Sequence, residues 1–256
     1  MINLHTKTNV ELKIMEKLER EIKSFQKIWV GGYKTGYSKK RNQIGLEDYI
    51  KNNLSGKTLL EIGAGGGQWS KFLSENTPFT KIYCIDVLSE EHNQFWSYVG
   101  VSNKDKISYK QVEDFSLSFL EDNSIDYVFS YDVFCHISYS GLEQYLESLY
   151  KKCKVGAKLL IMYADPQKYL KSEPENKYHV IKYLPNKKLS YKFSKRKLIK
   201  DALKDMDGEP SNPEFEPRWF WIGIENFLKI CKDKGFQIEI DDLNIDKTNP
   251  ITLFKK

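Results

Sequence analysis

Short apolar runs alternate with longer amphipathic stretches through the middle of this chain. Lys57 to Ile62, Lys81 to Asp86, Ile107 to Val112, Ser124 to Ser130 and Lys158 to Tyr163 are each too short for a buried helix. Polar or glycine-bearing segments bound them, so they predict strands. Helical spacing lies between some of them: Gln68 to Glu75, Ser89 to Tyr98, and Gly141 to Cys153 with Leu142, Tyr145, Leu146 and Leu149 on one face. The polar run after Gly100 blurs the end of the second of these, and Gly156-Ala157 reads as the turn into the fifth strand. Regular alternation of this kind predicts a parallel sheet with helices on both faces.

Alternation stops after the fifth strand. Residues 165–217 are rich in lysine and punctuated by proline, and the stretch 208–217, with Pro210, Pro213 and Pro217, is irregular by composition. A helix then returns over Ile224 to Lys234 and is broken by Gly235. Phe236 to Ile240 and Ile251 to Phe254 follow as strands joined by a polar loop containing Pro250. Ahead of the first strand, residues 9–30 carry mostly helical spacing, which suits a helix capping the domain or pairing two copies. Residues 31–41 mix glycine, tyrosine and cations as a loop, and Leu46 to Leu54 reads as a helix. The expected architecture is α/β: a seven-stranded, mostly parallel, doubly wound sheet with an N-terminal helical cap and an insertion after strand 5. Its expected parts are a helix and lid segment (1–56), a core (57–164), an insertion (165–221) and a closing helix with two strands (222–256).

One stretch carries more information than the pattern. Glu61-Ile62-Gly63-Ala64-Gly65-Gly66-Gly67 joins the first strand to its helix and packs four glycines into five positions. Glycine allows the sharp turn and lets a ligand press against bare backbone, while the following helix offers unpaired N–H groups. The spacing E-x-G-x-G-x-G differs from the dinucleotide fingerprint G-x-G-x-x-G. In an open parallel sheet ligands bind beyond the carboxyl ends of the strands. Asp86 ends the second strand about 20 residues past the loop, where a carboxylate accepts ribose hydroxyls in nucleotide-binding α/β folds. Glu113 and Asp114, with Phe115, follow the third strand.

The glycine loop with its leading acid, Asp86 and Asp114 resemble the class I S-adenosylmethionine-dependent methyltransferases in order and spacing over residues 57–115. The resemblance implies that the loop (Gly63, Ala64, Gly65, Gly67) cradles the methionine part of S-adenosylmethionine and that Glu61 helps anchor its amino group. It implies that Asp86 takes the ribose, and that Asp114, or its competitor Glu113, holds the adenine amino group beside Phe115. Trp69, Val87 and Tyr131 complete the cofactor set it implies. It also implies an antiparallel final strand pair, which fits the closing helix, strand, loop and strand and disfavours a dehydrogenase.

The segment after the fourth strand, Ser130-Tyr131-Asp132-Val133-Phe134-Cys135-His136-Ile137, lies where this family brings substrate and transferred methyl together. In-line methyl transfer gains mainly from alignment and desolvation, and a hydroxyl acceptor also needs a base. His136 is the candidate base, because imidazole titrates near neutral pH; a histidine capping the next helix or buried against the sheet is the plainer alternative. Asp132 could orient it, touch the cofactor or be the base. Asp165 ends the fifth strand, and a pair of acids, Asp132 and Asp165, could hold Mg²⁺; no third ligand is apparent, and the reading adopted uses no metal. The Asn/Asp-Pro-Pro-Tyr loop of many N-methyltransferases is absent, which favours oxygen as acceptor.

Composition shapes the acceptor. Lys168 to Lys204 contains eleven lysines and Arg196 against Glu173, Glu175 and Asp201, a local charge of +9 with tyrosines interleaved. The resemblance places a substrate lid in this part of the chain, and a basic lid would attract an anion. Tyr33 and Tyr37, Asp165, and Arg218 with Trp219 are the candidate substrate contacts. A small-molecule or sugar O-methyltransferase acting on a nucleotide-linked sugar or related phosphate-bearing glycan precursor is the reading these features favour. An RNA methyltransferase using the basic insertion, and a non-catalytic cofactor-binding scaffold, are the rivals. The overall charge of +5 is too evenly spread to announce a nucleic-acid binder. Four isolated cysteines without a C-x-x-C pair, and no apolar run long enough to span a bilayer, lead to the expectation of a cytoplasmic protein that is open to forming homo-oligomers.

Overall fold

The computed structural model describes residues 42–172 and 220–256. The expected helix over residues 9–30, the lid segment 31–41 and most of the insertion lie outside the described residues, as do Tyr33, Tyr37, Arg218 and Trp219. In chain order the elements are α1 (Asn42–Asn53), β1 (Thr58–Ile62), α2 (Gln68–Asn76), β2 (Lys81–Asp86), α3 (Phe95–Val99), β3 (Ile107–Gln111) and β4 (Ile125–Ser130). They continue with α4 (Tyr139–Lys152), β5 (Cys153–Met162), α5 (Pro166–Ser172), α6 (Ile224–Asp233), β6 (Gln237–Ile240) and β7 (Ile251–Lys255). Short 3-10 turns occupy Val101–Asn103 and Phe134–His136.

These strands form one seven-stranded sheet in the order β3-β2-β1-β4-β5-β7-β6. β1 pairs in parallel with β2 and β4, while β7 runs antiparallel to both β5 and β6. The expected mostly parallel sheet with a reversed end is therefore the observed one. Its strands alternate between two cores, as a period-2 chain must. Leu60, Ile62, Val128, Leu159, Ile161 and Phe254 face α4 and α6. Leu59, Phe129, Leu160, Met162 and Leu253 face the other way, toward Leu46 and Ile50 of α1 and Leu73 of α2. Each of these side chains contributes about 1.5–3 kcal/mol by leaving water, so both layers contribute to holding the sheet between them.

The helix α4 follows the sequence closely. Ser138 caps it by accepting the Gly141 N–H at 3.2 Å, Leu142, Tyr145, Leu146 and Leu149 are buried, and Lys151 and Lys152 sit at its negative end. Three other boundaries differ from expectation. The helix expected over Ser89 to Tyr98 shrinks to Phe95–Val99, because Gln94 takes a left-handed conformation just before it and the Gly100 N–H closes on Trp96. β5 begins at Cys153, where the sequence suggests only a helix end and a turn. Cys153 already pairs with Ile125, and a register shift between Ile125 and Tyr127 absorbs the extra residues around Gly156. Finally, the insertion opens with a regular helix, α5, whose first residue is proline, as suits an N1 position. No helix among the described residues is long and apolar enough to cross a membrane.

Candidate active site

The glycine loop sits at the carboxyl end of β1, next to the ends of β2 and β4. Gly63 and Ala64 donate their N–H groups to the Ile85 carbonyl at 2.8 and 3.0 Å, and Gly65 donates to Asp86 Oδ2 at 2.9 Å. Gly63, Gly65 and Gly67 all have positive φ, of 77°, 51° and 87°. Their surroundings differ. A Cβ on Gly63 would stand 2.1 Å from Val133 Cγ2, and one on Gly67 2.3 Å from Val99 Cγ2. A Cβ on Gly65 would meet nothing within 4 Å. The loop is thus clamped at both ends and open in the middle, where bare backbone faces free space.

Two carboxylates lie under and beside this opening. Glu61 is buried and accepts the Ser70 hydroxyl at 2.5 Å and the Cys84 thiol at 3.2 Å, both on Oε2. Burial raises its pKa to about 7, the Asp86 charge adds to the rise, and the Ser70 and Cys84 hydrogen bonds oppose it. Burial likewise pushes the Cys84 thiol up, with the Glu61 charge second. Asp86 accepts the N–H groups of Gly65 and Leu88, at 2.9 Å each. Burial raises its pKa too, against those bonds. Val87 follows it, and its carbonyl accepts the Gln111 side-chain amide at 3.0 Å.

The other expected cofactor residues spread around this centre. Glu113 and Asp114 are exposed, and Asp114 Oδ1 accepts both the N–H and the hydroxyl of Ser116, at 2.8 and 2.7 Å. Phe115 is buried and packs on Tyr145, with ring centroids 4.8 Å apart. Trp69, in the first turn of α2, meets Phe129 and Tyr131 at 5.3 and 5.5 Å. The Tyr131 hydroxyl donates to Asp246 Oδ2 at 2.8 Å, which ties the end of β4 to the loop between β6 and β7. Burial, then the Asp246 charge, raises the Tyr131 pKa.

Beyond Tyr131 the chain makes a tight turn. Asp132 takes a left-handed φ of 63°, unusual for a residue with a side chain, and the Phe134–His136 3-10 turn closes through the His136 N–H to the Val133 carbonyl at 2.8 Å. Phe220, returning from the insertion, donates its N–H to the Cys135 carbonyl at 2.8 Å. The turn gathers Asp132, Cys135 and His136, whose polar side-chain atoms all lie within 4.8 Å of one another. Cys135 Sγ–H points at Asp132 Oδ1 across 3.7 Å. Burial pushes this thiol well above its ordinary value, with the Asp132 charge second.

Asp165 has its hydrogen-bond partners within the fold. Its Oδ1 accepts the Lys168 N–H at 2.5 Å and its Oδ2 the Ile224 N–H at 2.9 Å, so one buried carboxylate caps both α5 and α6. It does not join the Asp132 cluster, and the sequence reading that pairs the two acids around Mg²⁺ finds no such grouping among the described residues. Several contacts escaped the sequence: Ser70 on Glu61, Val133 against Gly63, Cys135 in the turn and Asp246 on Tyr131. Ser70 lies on the first turn of the helix after the loop, a position that could have suggested it. The other three depend on long-range contacts or on the shape of the turn.

The comparisons with known proteins agree on the same architecture. The methyltransferase domain family matches residues 35–204, more than half of the chain. Among curated proteins none matches this sequence. A Pyrococcus horikoshii protein of solved structure superposes with a TM-score of 0.61 at 17% identity, covering 87% of this chain and 94% of its own. An S-adenosylmethionine-dependent methyltransferase from Mesorhizobium loti gives 0.57 at 10% identity, covering 84% and 98%. A third, from Methanosarcina mazei and also named as such a methyltransferase, gives 0.54 at 17%, covering 81% and 96%. Identities this low speak for the fold, and the family match speaks for the chemistry: the chain belongs to the methyltransferase domain family and is a class I, S-adenosylmethionine-dependent methyltransferase.

Proposed function

We propose that this enzyme methylates an oxygen of a small anionic acceptor, a nucleotide-linked sugar or a related phosphate-bearing precursor of surface glycans. The observation that carries the reading is the turn after β4. It brings His136 and Asp132 together at the carboxyl rim of the sheet, while Val133 between them presses on Gly63 of the cofactor loop. The loop suits the cofactor, because the open space over Gly65 is a cradle that a Cβ would fill, and a buried carboxylate, Glu61, and a half-buried one, Asp86, flank the loop.

In this reading Gly63 to Gly67 and Glu61 hold the methionine part, Asp86 the ribose, and Asp114 or Glu113 with Phe115 the adenine. Trp69, Val87 and Tyr131 wall the same groove. S-adenosylmethionine, when bound, supplies a methyl group on a positively charged sulfur. His136 takes the proton of the acceptor hydroxyl on an imidazole nitrogen, and the Asp132 carboxylate stabilises the imidazolium that forms. Burial of His136 keeps water from competing as the proton acceptor. The +9 segment from Lys168 to Lys204 supports an anionic acceptor. Tyr33, Tyr37, Arg218 and Trp219 are its proposed contacts.

Calorimetry with S-adenosylhomocysteine, followed by a mass-spectrometric screen of nucleotide sugars for the gain of one methylene, tests this. Saturable cofactor binding is expected, with His136→Asn lowering turnover by about 10²–10⁴-fold at unchanged cofactor affinity. A His136→Asn enzyme as fast as the parent would sink the base assignment.

A further inference from the structure

Cys135 has no part in the reaction proposed above, yet the turn after β4 buries it fully against an acid and an imidazole. Among the described residues, Asp132, Cys135 and His136 are the one group of three potential metal-ligating side chains whose donor atoms converge. With zinc–sulfur and zinc–oxygen bonds of about 2.3 and 2.1 Å at a tetrahedral angle, the two ligand atoms stand about 3.6 Å apart. The Cys135 Sγ to Asp132 Oδ1 distance is 3.7 Å. A proton bridges that gap now, from a soft donor to a hard acceptor, and a cation fits the same place. No separation in the group exceeds 4.8 Å, so a closure of at most about 1.3 Å reaches tetrahedral spacing.

We propose that Asp132, Cys135 and His136 form a binding site for one divalent transition-metal ion of the zinc class. Thiolate, imidazole and carboxylate together suit zinc or cobalt, whereas magnesium and calcium want oxygen alone. The turn is organised before any ion arrives. His136 closes it onto Val133, Phe220 holds the Cys135 carbonyl, and the left-handed Asp132 folds its carboxylate back over the sulfur. The Asp246 carboxylate, which has no ion-pair partner among the described residues, also lies within electrostatic reach of Cys135 and favours a cation there. Among the described residues three ligands converge, one short of the four of a closed structural zinc site. One consequence rests on the function proposed above: an ion holding the His136 lone pair leaves no base for the acceptor proton, so occupancy inhibits transfer.

Titration of the reduced full chain with Co²⁺, read by absorption, tests the site without any methyl acceptor. The expected result is saturation at one equivalent, with tetrahedral d–d bands and a thiolate-to-cobalt charge-transfer band, all reversed by Zn²⁺. Cys135→Ser is expected to lose the charge-transfer band while keeping its circular dichroism and its affinity for S-adenosylhomocysteine. Asp132→Asn and His136→Gln are expected to weaken Co²⁺ binding by at least about 100-fold, the upper end of the loss for an outer-sphere partner. Should Cys135→Ser fail to fold, X-ray absorption at the zinc edge of the wild-type protein replaces it, with one sulfur and the rest nitrogen or oxygen expected. Absence of saturable binding, a charge-transfer band that survives Cys135→Ser, or a sulfur-free zinc shell overturns the proposal. Failure of the base assignment leaves these spectra unchanged, so the two readings fall separately.

Discussion

At the scale of single residues, two glycines of one loop ask for opposite experiments. Gly63 has both a positive φ and a neighbour, Val133, that a Cβ would strike at 2.1 Å. Gly63→Ala is expected to cost about 2–3 kcal/mol of folding stability in thermal or urea denaturation, from overpacking and backbone strain together. Gly65 has the positive φ without the neighbour. Gly65→Ala is expected to cost only about 1 kcal/mol of stability, yet to weaken S-adenosylhomocysteine binding measured by calorimetry, because the methyl group fills the space left for the ligand. Equal stability losses in the two variants would contradict this account.

Glu61 supplies the pH dependence. Its folded pKa is raised from 4.5 to about 7, so between those values the folded state holds a proton that the unfolded chain has released. Stability from this group is therefore complete below pH 4.5 and is lost as pH rises through about 7, a decline of about 3 kcal/mol. Glu61→Gln, which keeps an acceptor for Ser70 and Cys84, is expected to lack that decline. Urea denaturation of the two proteins across this range checks it, and parallel stability curves would show that Glu61 titrates normally.

At the scale of elements, Asp165 holds two helices with one carboxylate. Asp165→Ala removes a cap from α5 and another acceptor from the start of α6, for an expected loss of about 2–3 kcal/mol. Because α6 packs Phe227 and Ile230 on the sheet, hydrogen exchange is expected to quicken in α5 and α6 before it does in β1. The same residue shows where sequence reading runs short. An acid at a strand end reads as a ligand-binding group, and only the fold shows that two helix starts converge on it. The short α3 has a similar cause: a helix within Ser89 to Tyr98 was legible, but the left-handed Gln94 that delays its start was not. β5 was legible from Lys158 onward through its apolar run, whereas its first residues, Cys153 to Gly156, join the sheet only because β4 starts opposite them.

At the scale of the whole molecule, the last strand locks the two halves of the chain. β7 lies between β5 and β6, and Phe254 on it packs against Phe227 and Phe236 at 5.9 and 5.1 Å. Tyr163, at the end of β5, stacks on Phe227 at 3.7 Å and shares a 2.9 Å hydrogen bond with Thr252 of β7. Phe254→Ala is expected to lower stability by about 3–5 kcal/mol, measured by denaturant unfolding in one cooperative transition. An early separate transition of the C-terminal elements would show instead that they fold as an independent unit.

What the sequence determined alone is the part that local chemistry dictates. Short apolar runs and stretches at period 3.6 specify strands and helices, with ends that tertiary contacts adjust, and glycine favours the positive φ at positions 63, 65 and 67. The acids at the strand ends, taken with the glycine loop, resemble the class I methyltransferases in order and spacing, and through that resemblance the methyl donor was legible before any contact was known. The tertiary structure decided what depends on which distant atoms meet. It gave Asp165 to two helix starts, set Val133 on Gly63, linked Tyr131 to Asp246 and turned Cys135 toward Asp132. Those contacts join residues whose separation in the chain bears no relation to their distance in space, so no spacing rule encodes them.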